Sequence, residues 1–201
     1  MSAQERNNPG AKSGDAKSDR LQASRRTVVA GLVAGVGVAA ARPALAQDGA
    51  PQVGDRLQIF RGPAKNQYLR PELMKLNDKP LTVFPIIGGD GAMKDDDRLN
   101  RMLALRLDPD EMDEDTRAMT AEGVLLYSAL CTHQACVIAS WKKRDRHLRC
   151  HCHLSEFDAL AMGAVRKGPA RRPLAVVPVR IDEEGFVRLA GEFNRTPGAR
   201  G

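Results

Sequence analysis

The chain has 201 residues, with 31 Lys and Arg against 25 Asp and Glu and a net charge of +6. This length suits one ordinary domain with a terminal extension. Residues 1–46 hold seven basic and three acidic side chains, so the remainder is nearly balanced. That balance argues against nucleic-acid binding, which needs a basic stripe with interleaved aromatics. With 18 Gly and 12 Pro, the composition favours short strands and turns and excludes a coiled coil, a repeat solenoid or a multi-span membrane protein.

The N-terminal segment predicts export. Residues 1–23 are polar and are expected to be disordered. Arg25 and Arg26 then precede a Gly-, Ala- and Val-rich run over residues 27–41, and an Ala-Leu-Ala sequence ends at Ala46. A basic start, an apolar stretch and small residues at the cleavage site are typical of a signal peptide, and the paired arginines are typical of the twin-arginine (Tat) pathway. We therefore expect a periplasmic protein in which residues 1–46 are the signal and residues 47–201 the exported domain.

A membrane anchor is the alternative for residues 27–41. A helix of fifteen residues rises about 22 Å at 1.5 Å per residue. The hydrocarbon core of a bilayer is about 30 Å thick, so the run is short for a span. A cleaved signal is favoured, and retention of residues 27–41 in the membrane stays open.

The exported part predicts many short strands. Its first half contains three segments with strand patterns, at 53–60, at 81–87 and at 102–107. Pro85 suggests that the second of these is an edge strand. The alternating leucines of the third predict a half-buried strand. Between strands, the acidic stretch 108–115 lacks the spacing of a calcium loop. A solvated loop is favoured there over a docking patch for a basic partner.

Strand patterns continue through the second half. Residues 123–130 form an apolar run that leads directly to Cys131, which predicts a buried strand. Residues 174–181 predict a strand broken by Pro178, followed by a hairpin turn at 182–185 and a return strand at 186–189. The sequence therefore predicts an all-β domain.

All four cysteines and all four histidines lie between positions 131 and 153. They form two short segments, Cys131-Thr132-His133 with Cys136, and Cys150-His151-Cys152-His153 followed by Leu154-Ser155. Sixteen residues separate His133 from Cys150, enough for one hairpin, so two loops could face each other. Two thiolates and two imidazoles suit either a structural zinc ion or a [2Fe–2S] cluster with cysteines on one iron and histidines on the other.

These two segments resemble the cluster-binding loops of the Rieske iron–sulfur proteins, with similarity from about residue 123 to residue 193. The resemblance implies an antiparallel β-sandwich carrying a two-loop cluster-binding subdomain, here at about residues 123–173. It also implies six roles for the loop residues. Inner-iron ligands would be Cys131 and Cys150, outer-iron ligands His133 and His153, and a disulfide would join Cys136 to Cys152.

The resemblance extends to residues around the cluster. Ser155 matches a serine that donates a hydrogen bond to a bridging sulfide. Phe157 stands where a hydrogen-bonding tyrosine is common, so we expect a lower reduction potential than in members with that tyrosine. Gly168 and Pro169 match a proline-containing loop that shields the cluster. His151 is expected to be exposed, and His147 is expected on a solvated hairpin.

The resemblance implies electron transfer, with no catalytic site in this chain alone. Our first interpretation is the small subunit of a periplasmic oxidoreductase similar to arsenite oxidase. Such a subunit would take electrons from a large catalytic redox subunit and pass them to a c-type cytochrome. The alternative is the Rieske subunit of a cytochrome bc complex, which oxidises quinol at the membrane. A structural zinc module is a further alternative.

Overall fold

The structure is a computed structural model that describes residues 49–86 and 91–199. The predicted export signal lies outside these residues. Within the described part, the chain forms two antiparallel sheets and very little helix. No helix in that part combines the length and the apolar character needed to cross a bilayer.

Eleven strands account for both sheets of the described residues. Seven belong to the large sheet: β1 (Arg56–Ile59), β2 (Leu81–Ile86), β3 (Met102–Arg106), β4 (Val124–Ser128), β9 (Val176–Val177), β10 (Val179–Ile181) and β11 (Val187–Leu189). Four belong to the small sheet: β5 (Ser140–Lys142), β6 (His147–Arg149), β7 (Glu156–Asp158) and β8 (Ala164–Lys167). The strand order is β10-β11-β1-β2-β3-β4-β9 in the large sheet and β5-β6-β7-β8 in the small one. The predicted all-β, antiparallel architecture is therefore confirmed.

The large sheet curls back toward itself. Its two edge strands, β9 and β10, are consecutive in the chain and are separated only by Pro178. Proline lacks the N–H that a ladder needs, so a continuous strand breaks there and its halves pair with different neighbours. One run of chain thus supplies both edges of the curled sheet.

Strands β3 and β4 lie between two apolar clusters. Leu103 and Leu105 point into a cluster shared with the small sheet, whereas Met102 and Ala104 point into the interior of the curled sheet. The prediction of a half-buried β3 was therefore wrong, because the small sheet covers the face that alternation left for solvent. Both clusters consist mainly of Leu, Val, Ile and Met, which provide the apolar burial that stabilises the domain.

Pro85 does not mark an edge strand, since β2 pairs with both β1 and β3. The pairing with β3 covers only residues 81–83, however, and ends before Pro85. On that side Pro85 faces no strand, so its missing N–H costs no ladder hydrogen bond. The proline indicated a local end of pairing rather than an edge of the sheet.

The acidic stretch 108–115 is also more ordered than a solvated loop. It contains a 3-10 turn (Pro109–Glu111) and the start of a short helix, α1 (Glu114–Ala118). Asp108 and Asp113 cap these elements by accepting hydrogen bonds from backbone N–H groups. The stretch follows β3 at the end of that strand away from residue 131, so its carboxylates lie at the opposite end of the large sheet from the cysteine–histidine segments.

Candidate metal centre

Two loops at one end of the domain bring the cysteines and histidines together. Loop 1 (131–136) follows β4, and loop 2 (150–155) connects β6 to β7. The hairpin of β5 and β6 joins the two loops, as the spacing predicted. An isolated bridge between Leu130 and Val137 closes the base of loop 1.

The two loops share one backbone design. In loop 1 the N–H of Cys131 donates to the carbonyl of Cys136 at 2.9 Å, and in loop 2 the N–H of Cys150 donates to the carbonyl of Ser155 at 2.9 Å. The fifth residue of each loop is left-handed, with φ of 53° at Ala135 and 59° at Leu154. Each loop is thus a closed six-residue turn that starts from a cysteine.

The first cysteine of each loop is buried, and the two cysteines are in contact with each other. Cys131 and Cys150 are each 1% exposed, and their thiol groups are within hydrogen-bonding contact. Burial, with a smaller contribution from the neighbouring thiol, raises the pKa of Cys131, whereas backbone N–H groups of His133 and Gln134 oppose that rise. The site therefore holds two protected sulfur ligands with backbone donors aimed at one of them.

Two imidazoles lie at the outside of the same pair of loops. The Nδ1 atoms of His133 and His153 are 3.2 Å apart, and the rings meet nearly edge to face. His133 is partly exposed and His153 is exposed. The donors therefore form two layers, with sulfur inside and nitrogen outside.

A disulfide joins loop 1 to loop 2 through Cys136 and Cys152. The Sγ atoms of Cys136, Cys150 and Cys152 all lie within 4.8 Å of one another. Because two of these sulfurs are bonded to each other, the three do not form a thiolate site for a metal ion. The structure leaves Cys131 and Cys150 as the thiols of the site.

A third segment, loop 3 (168–172), covers loop 2. Gly168 has φ of 87°, and a Cβ there would lie 2.5 Å from Cα of Ser155, so only glycine fits this approach. The N–H of Ala170 donates to Oγ of Ser155 at 3.1 Å. Ser155 is fully buried, and its own O–H has no acceptor among the described residues.

Phe157 is fully buried in the apolar cluster that includes Cys131 and Cys150. Pro169 is exposed beside Gly168 on loop 3. Both lie where the sequence pattern placed them, around the two loops.

Two arginines near loop 1 were missed by sequence reasoning. Thr132 donates from Oγ1 to the carbonyl of Arg172 at 2.6 Å, and Nη2 of Arg172 donates to the carbonyl of Gly198 at 2.7 Å. Arg98 donates to the carbonyl of Ala135 at the tip of loop 1. No local motif signals these contacts, since each joins residues far apart in the chain.

The other two histidines lie apart from the pair. His151 is exposed, as expected. His147 is largely buried on β6, so the expectation of a solvated position was wrong. Its Nδ1 lies 3.4 Å from the Glu156 carboxylate. That carboxylate is 5% exposed and also contacts Lys142 at 3.0 Å and Arg149 at 3.8 Å. This charged cluster lies within the small sheet and contributes no donor to the site.

The donor set fits a metal cluster. Two imidazole nitrogens bound to one tetrahedral ion at about 2.1 Å would lie about 3.4 Å apart, close to the distance between His133 and His153. Soft sulfur ligands and imidazoles are the set that iron–sulfur centres of mixed ligation use. The O–H of Ser155 has no hydrogen-bond acceptor among the described residues, on the side of loop 2 that loop 3 covers. A sulfide of a bound cluster would supply that acceptor.

Comparisons with known proteins match the part of the chain that contains the two loops. The family model of the Rieske [2Fe–2S] domain matches residues 110–178. The cytochrome bc1 complex Rieske iron–sulfur subunit of Streptomyces lividans is 32% identical over 99 residues, which is 48% of this chain and 58% of that protein. A protein of Haloferax mediterranei named for a Rieske subunit of respiratory nitrate reductase is 35% identical over 79 residues, covering 39% of this chain and 35% of that protein.

Among solved structures, the soluble domain of Rieske protein II from Sulfolobus acidocaldarius matches with a TM-score of 0.40 and 17% identity, covering 50% of this chain and 66% of that one. The chain spans less than two thirds of the length of the Streptomyces lividans and Haloferax mediterranei relatives.

Proposed function

Because the chain carries a Rieske [2Fe–2S] domain, we propose that its two loops hold the cluster and that the protein transfers single electrons. Cys131 and Cys150 would bind the inner iron, and His133 and His153 would bind the outer iron. The observation that supports this assignment is the layered convergence of the four donors, with two touching buried thiols beneath two imidazoles whose Nδ1 atoms are 3.2 Å apart.

The chemistry of the donors suits electron transfer at a higher potential than four cysteines would give. Such a cluster, when bound, supplies a one-electron site at about −150 to +300 mV, against about −400 mV for plant-type ferredoxins with four cysteines. Neutral imidazoles carry no charge, so two histidines in place of two thiolates lower the cost of adding an electron. The exposed His153 shortens the route for the electron to a partner at the surface.

The surrounding residues protect and position the donors. Apolar side chains bury both thiols, the disulfide fixes the separation of the loops, and loop 3 covers Ser155. Preorganised ligands and a dry inner side limit the rearrangement that accompanies a change of charge. We assign Ser155 the role of hydrogen-bond donor to the cluster, and Gly168 and Pro169 the role of its cover.

The finer proposal is a periplasmic electron-transfer subunit, exported through the signal at residues 1–46 and functional as residues 47–201. In this proposal, which follows the sequence-based interpretation of a small subunit resembling that of arsenite oxidase, it would receive electrons from a large catalytic subunit and reduce a c-type cytochrome. Phe157 in place of the tyrosine and the short apolar run at 27–41 support this proposal.

A second candidate is the Rieske subunit of a cytochrome bc complex that oxidises quinol. The Streptomyces lividans relative carries that name, which favours this candidate. The Haloferax mediterranei relative, by contrast, is named for a nitrate reductase. Relatives with a similar domain are therefore named for more than one redox complex.

Metal analysis of the full-length protein tests the cluster. We expect two iron and two acid-labile sulfide per chain, a red-brown colour and a rhombic paramagnetic resonance signal after reduction. His153→Ala should abolish that signal, whereas the matched control His151→Ala should keep it. One zinc per chain without iron or sulfide would overturn the proposal.

Purification from the native membrane and periplasmic fractions distinguishes the two proposed roles by the proteins that copurify. A detergent-free mature form that starts at Gln47 and copurifies with a molybdenum subunit supports the arsenite oxidase-like role. Copurification with membrane cytochrome subunits, with residues 27–41 retained, supports the quinol-oxidising role instead.

A further inference from the structure

The end of the domain that carries loops 1 to 3 has an apolar centre. Five large hydrophobic side chains of the described residues are exposed, and three of them lie at this end. Leu154 (45% exposed) follows His153 in loop 2, Val137 (37%) follows loop 1, and Leu99 (48%) lies beside Arg98, which contacts loop 1. An apolar group of this kind with a polar border is typical of a protein–protein contact surface.

Basic side chains border this apolar centre along loop 3. Lys167 and Arg171 are exposed, and Arg172 is partly exposed. Loop 3 packs on both cluster loops, through Gly168 against Ser155 and through the hydrogen bond of Thr132 to Arg172. The three positive charges are therefore held next to the donors of the proposed metal centre.

Arg171 and Arg172 have no acidic partner among the described residues, whereas Lys167 lies across the strand pair from Glu156 and is attracted by its carboxylate without forming an ion pair. None of Lys167, Arg171 and Arg172 lies within 4.0 Å of a carboxylate oxygen among the described residues. The neighbouring Arg166, by contrast, forms an ion pair with Asp158 at 2.8 Å. Within residues 166–172, the basic side chains without an ion pair therefore lie on the loop 3 side of Arg166.

Acidic residues are placed on other sides. The carboxylates of 108–115 lie at the far end of β3, and Glu156 is buried among its own basic partners. Asp95, Asp96 and Asp97 are exposed on the approach to Arg98, so they weaken the positive field on that side. The basic border is therefore strongest along residues 167–172.

We propose that this face docks an electron-transfer protein whose own contact surface is acidic, with Lys167 and Arg171 as the steering charges. The inference rests on the proposed function, and it adds the charge of the partner. One electron would leave the reduced [2Fe–2S] site and would reduce the ferric haem of an acidic c-type cytochrome to ferrous, with no covalent bond formed or broken. Opposite charges around the contact raise the rate of encounter and orient it.

The test uses the full-length holoprotein and two probes, an acidic and a basic c-type cytochrome of similar midpoint potential. The oxidation rate of the reduced protein is measured by stopped flow at about 20 mM and about 300 mM salt, since a Debye length near 8 Å at 0.15 M screens most of the attraction. We expect the acidic cytochrome to react about tenfold faster at low salt and to lose that advantage at high salt.

The key variant is Lys167→Glu combined with Arg171→Glu. The matched control, Lys65→Glu with Arg144→Glu, makes the same change of net charge at exposed residues outside the loops. We expect the first pair to slow the acidic cytochrome about tenfold at low salt and the control to change the rate less than twofold. Equal effects of the two pairs, or a faster reaction with the basic cytochrome, would overturn the proposal.

Calorimetric binding of the acidic cytochrome gives a readout that does not need electron transfer. Weaker binding by the loop 3 variant alone supports the docking surface. If vesicles with anionic lipid bind the wild-type protein in a Lys167- and Arg171-dependent way while cytochrome binding is unchanged, the face contacts a membrane and the proposal is wrong. A protein without iron would contradict the proposed function, whereas a loaded protein that shows no preference for charge would contradict only this inference.

Discussion

The two sheets are stabilised by different interactions. The large sheet buries Leu, Val and Met side chains on both faces of β3 and β4, and apolar burial dominates its stability. The small sheet has strands of only three or four residues, and one of its buried side chains is the Glu156 carboxylate. A disulfide and ion pairs replace part of the missing apolar area. Substitutions in the small sheet should therefore disturb the site while the large sheet stays folded.

Gly168→Ala, compared with a matched control, is expected to give the largest difference in stability between the region of the loops and the large sheet. The new Cβ would overlap Cα of Ser155 at 2.5 Å and would hold alanine at a positive φ. We expect a loss of about 3 kcal/mol in the free energy of unfolding, from overpacking and left-handed strain together. Urea unfolding measures the loss. The control is Gly62→Ala, which has a positive φ but no atom within 4 Å, and it should cost only about 1 kcal/mol.

Glu156→Gln tests the ion pairs of the small sheet. Removal of this buried charge leaves His147 without its anion and Lys142 with Asp145 alone, and we expect a loss of about 2 kcal/mol at pH 7. The matched change in the large sheet, Glu184→Gln, removes an exposed partner of Arg56 and should cost less than about 1 kcal/mol. Equal losses would mean that burial of the charge adds nothing.

The same variant predicts a pH dependence. Burial raises the pKa of Glu156, but hydrogen bonds from Lys142 and His147 outweigh burial and hold it below the ordinary value of 4.5. A carboxyl with a lowered pKa stabilises the fold above its unfolded pKa, and that contribution is lost as the pH falls through the folded pKa. The wild type should therefore lose its advantage over Glu156→Gln below about pH 4.5. An advantage that persists well below that pH would contradict the ion-pair role.

Phe157→Tyr sharpens the comparison at the site. A hydroxyl here would lie in the cluster of apolar residues around Cys131 and Cys150. A hydrogen bond to a thiolate favours the reduced, more negative state by about 1 kcal/mol, or about 40–60 mV for one electron. Protein-film voltammetry should show that rise, and Phe84→Tyr in the large sheet should leave the midpoint unchanged. An unchanged midpoint in Phe157→Tyr would remove this explanation of the potential.

The smallest expected effect is a gain in stability. Ala135 has a φ of 53° in loop 1, a conformation that glycine adopts without strain. Ala135→Gly should raise the free energy of unfolding by about 0.5–1 kcal/mol. Asn66→Gly is the control in the large-sheet region, since Asn66 at φ 68° already suits the left-handed conformation and should gain nothing. A loss on Ala135→Gly would show that the packing of the Ala135 methyl group outweighs the strain.

Local sequence signals predicted the elements that depend on local chemistry. The hairpin between the loops follows from the spacing of His133 and Cys150, and the break in the 174–181 strand follows from Pro178. The disulfide was implied by the resemblance and is present in the structure. The short helix that starts within the acidic stretch was missed, although Asp113 at the N-cap with Glu114 and Asp115 in the first turn is a usable capping signal.

Long-range contacts were beyond reach. Nothing near β3 in the chain shows that the small sheet covers its outer face, so alternation suggested a solvent side that does not exist. The contact of Arg172 with Gly198 joins residues 26 positions apart through a backbone carbonyl, which leaves no residue-type signature. Such contacts depend on how the elements pack, and packing is not encoded in any short window.

The way the chain closes its sheets also limits self-association. Unpaired strand edges invite neighbouring molecules to add strands and form aggregates. In the large sheet those edges are strands of two and three residues, interrupted by a residue that cannot donate. In the small sheet they carry Lys142 on one side and Arg166 with Lys167 on the other, charges that a docking strand would have to desolvate. Short edges and charged side chains therefore disfavour the addition of a strand from a neighbouring molecule to either sheet.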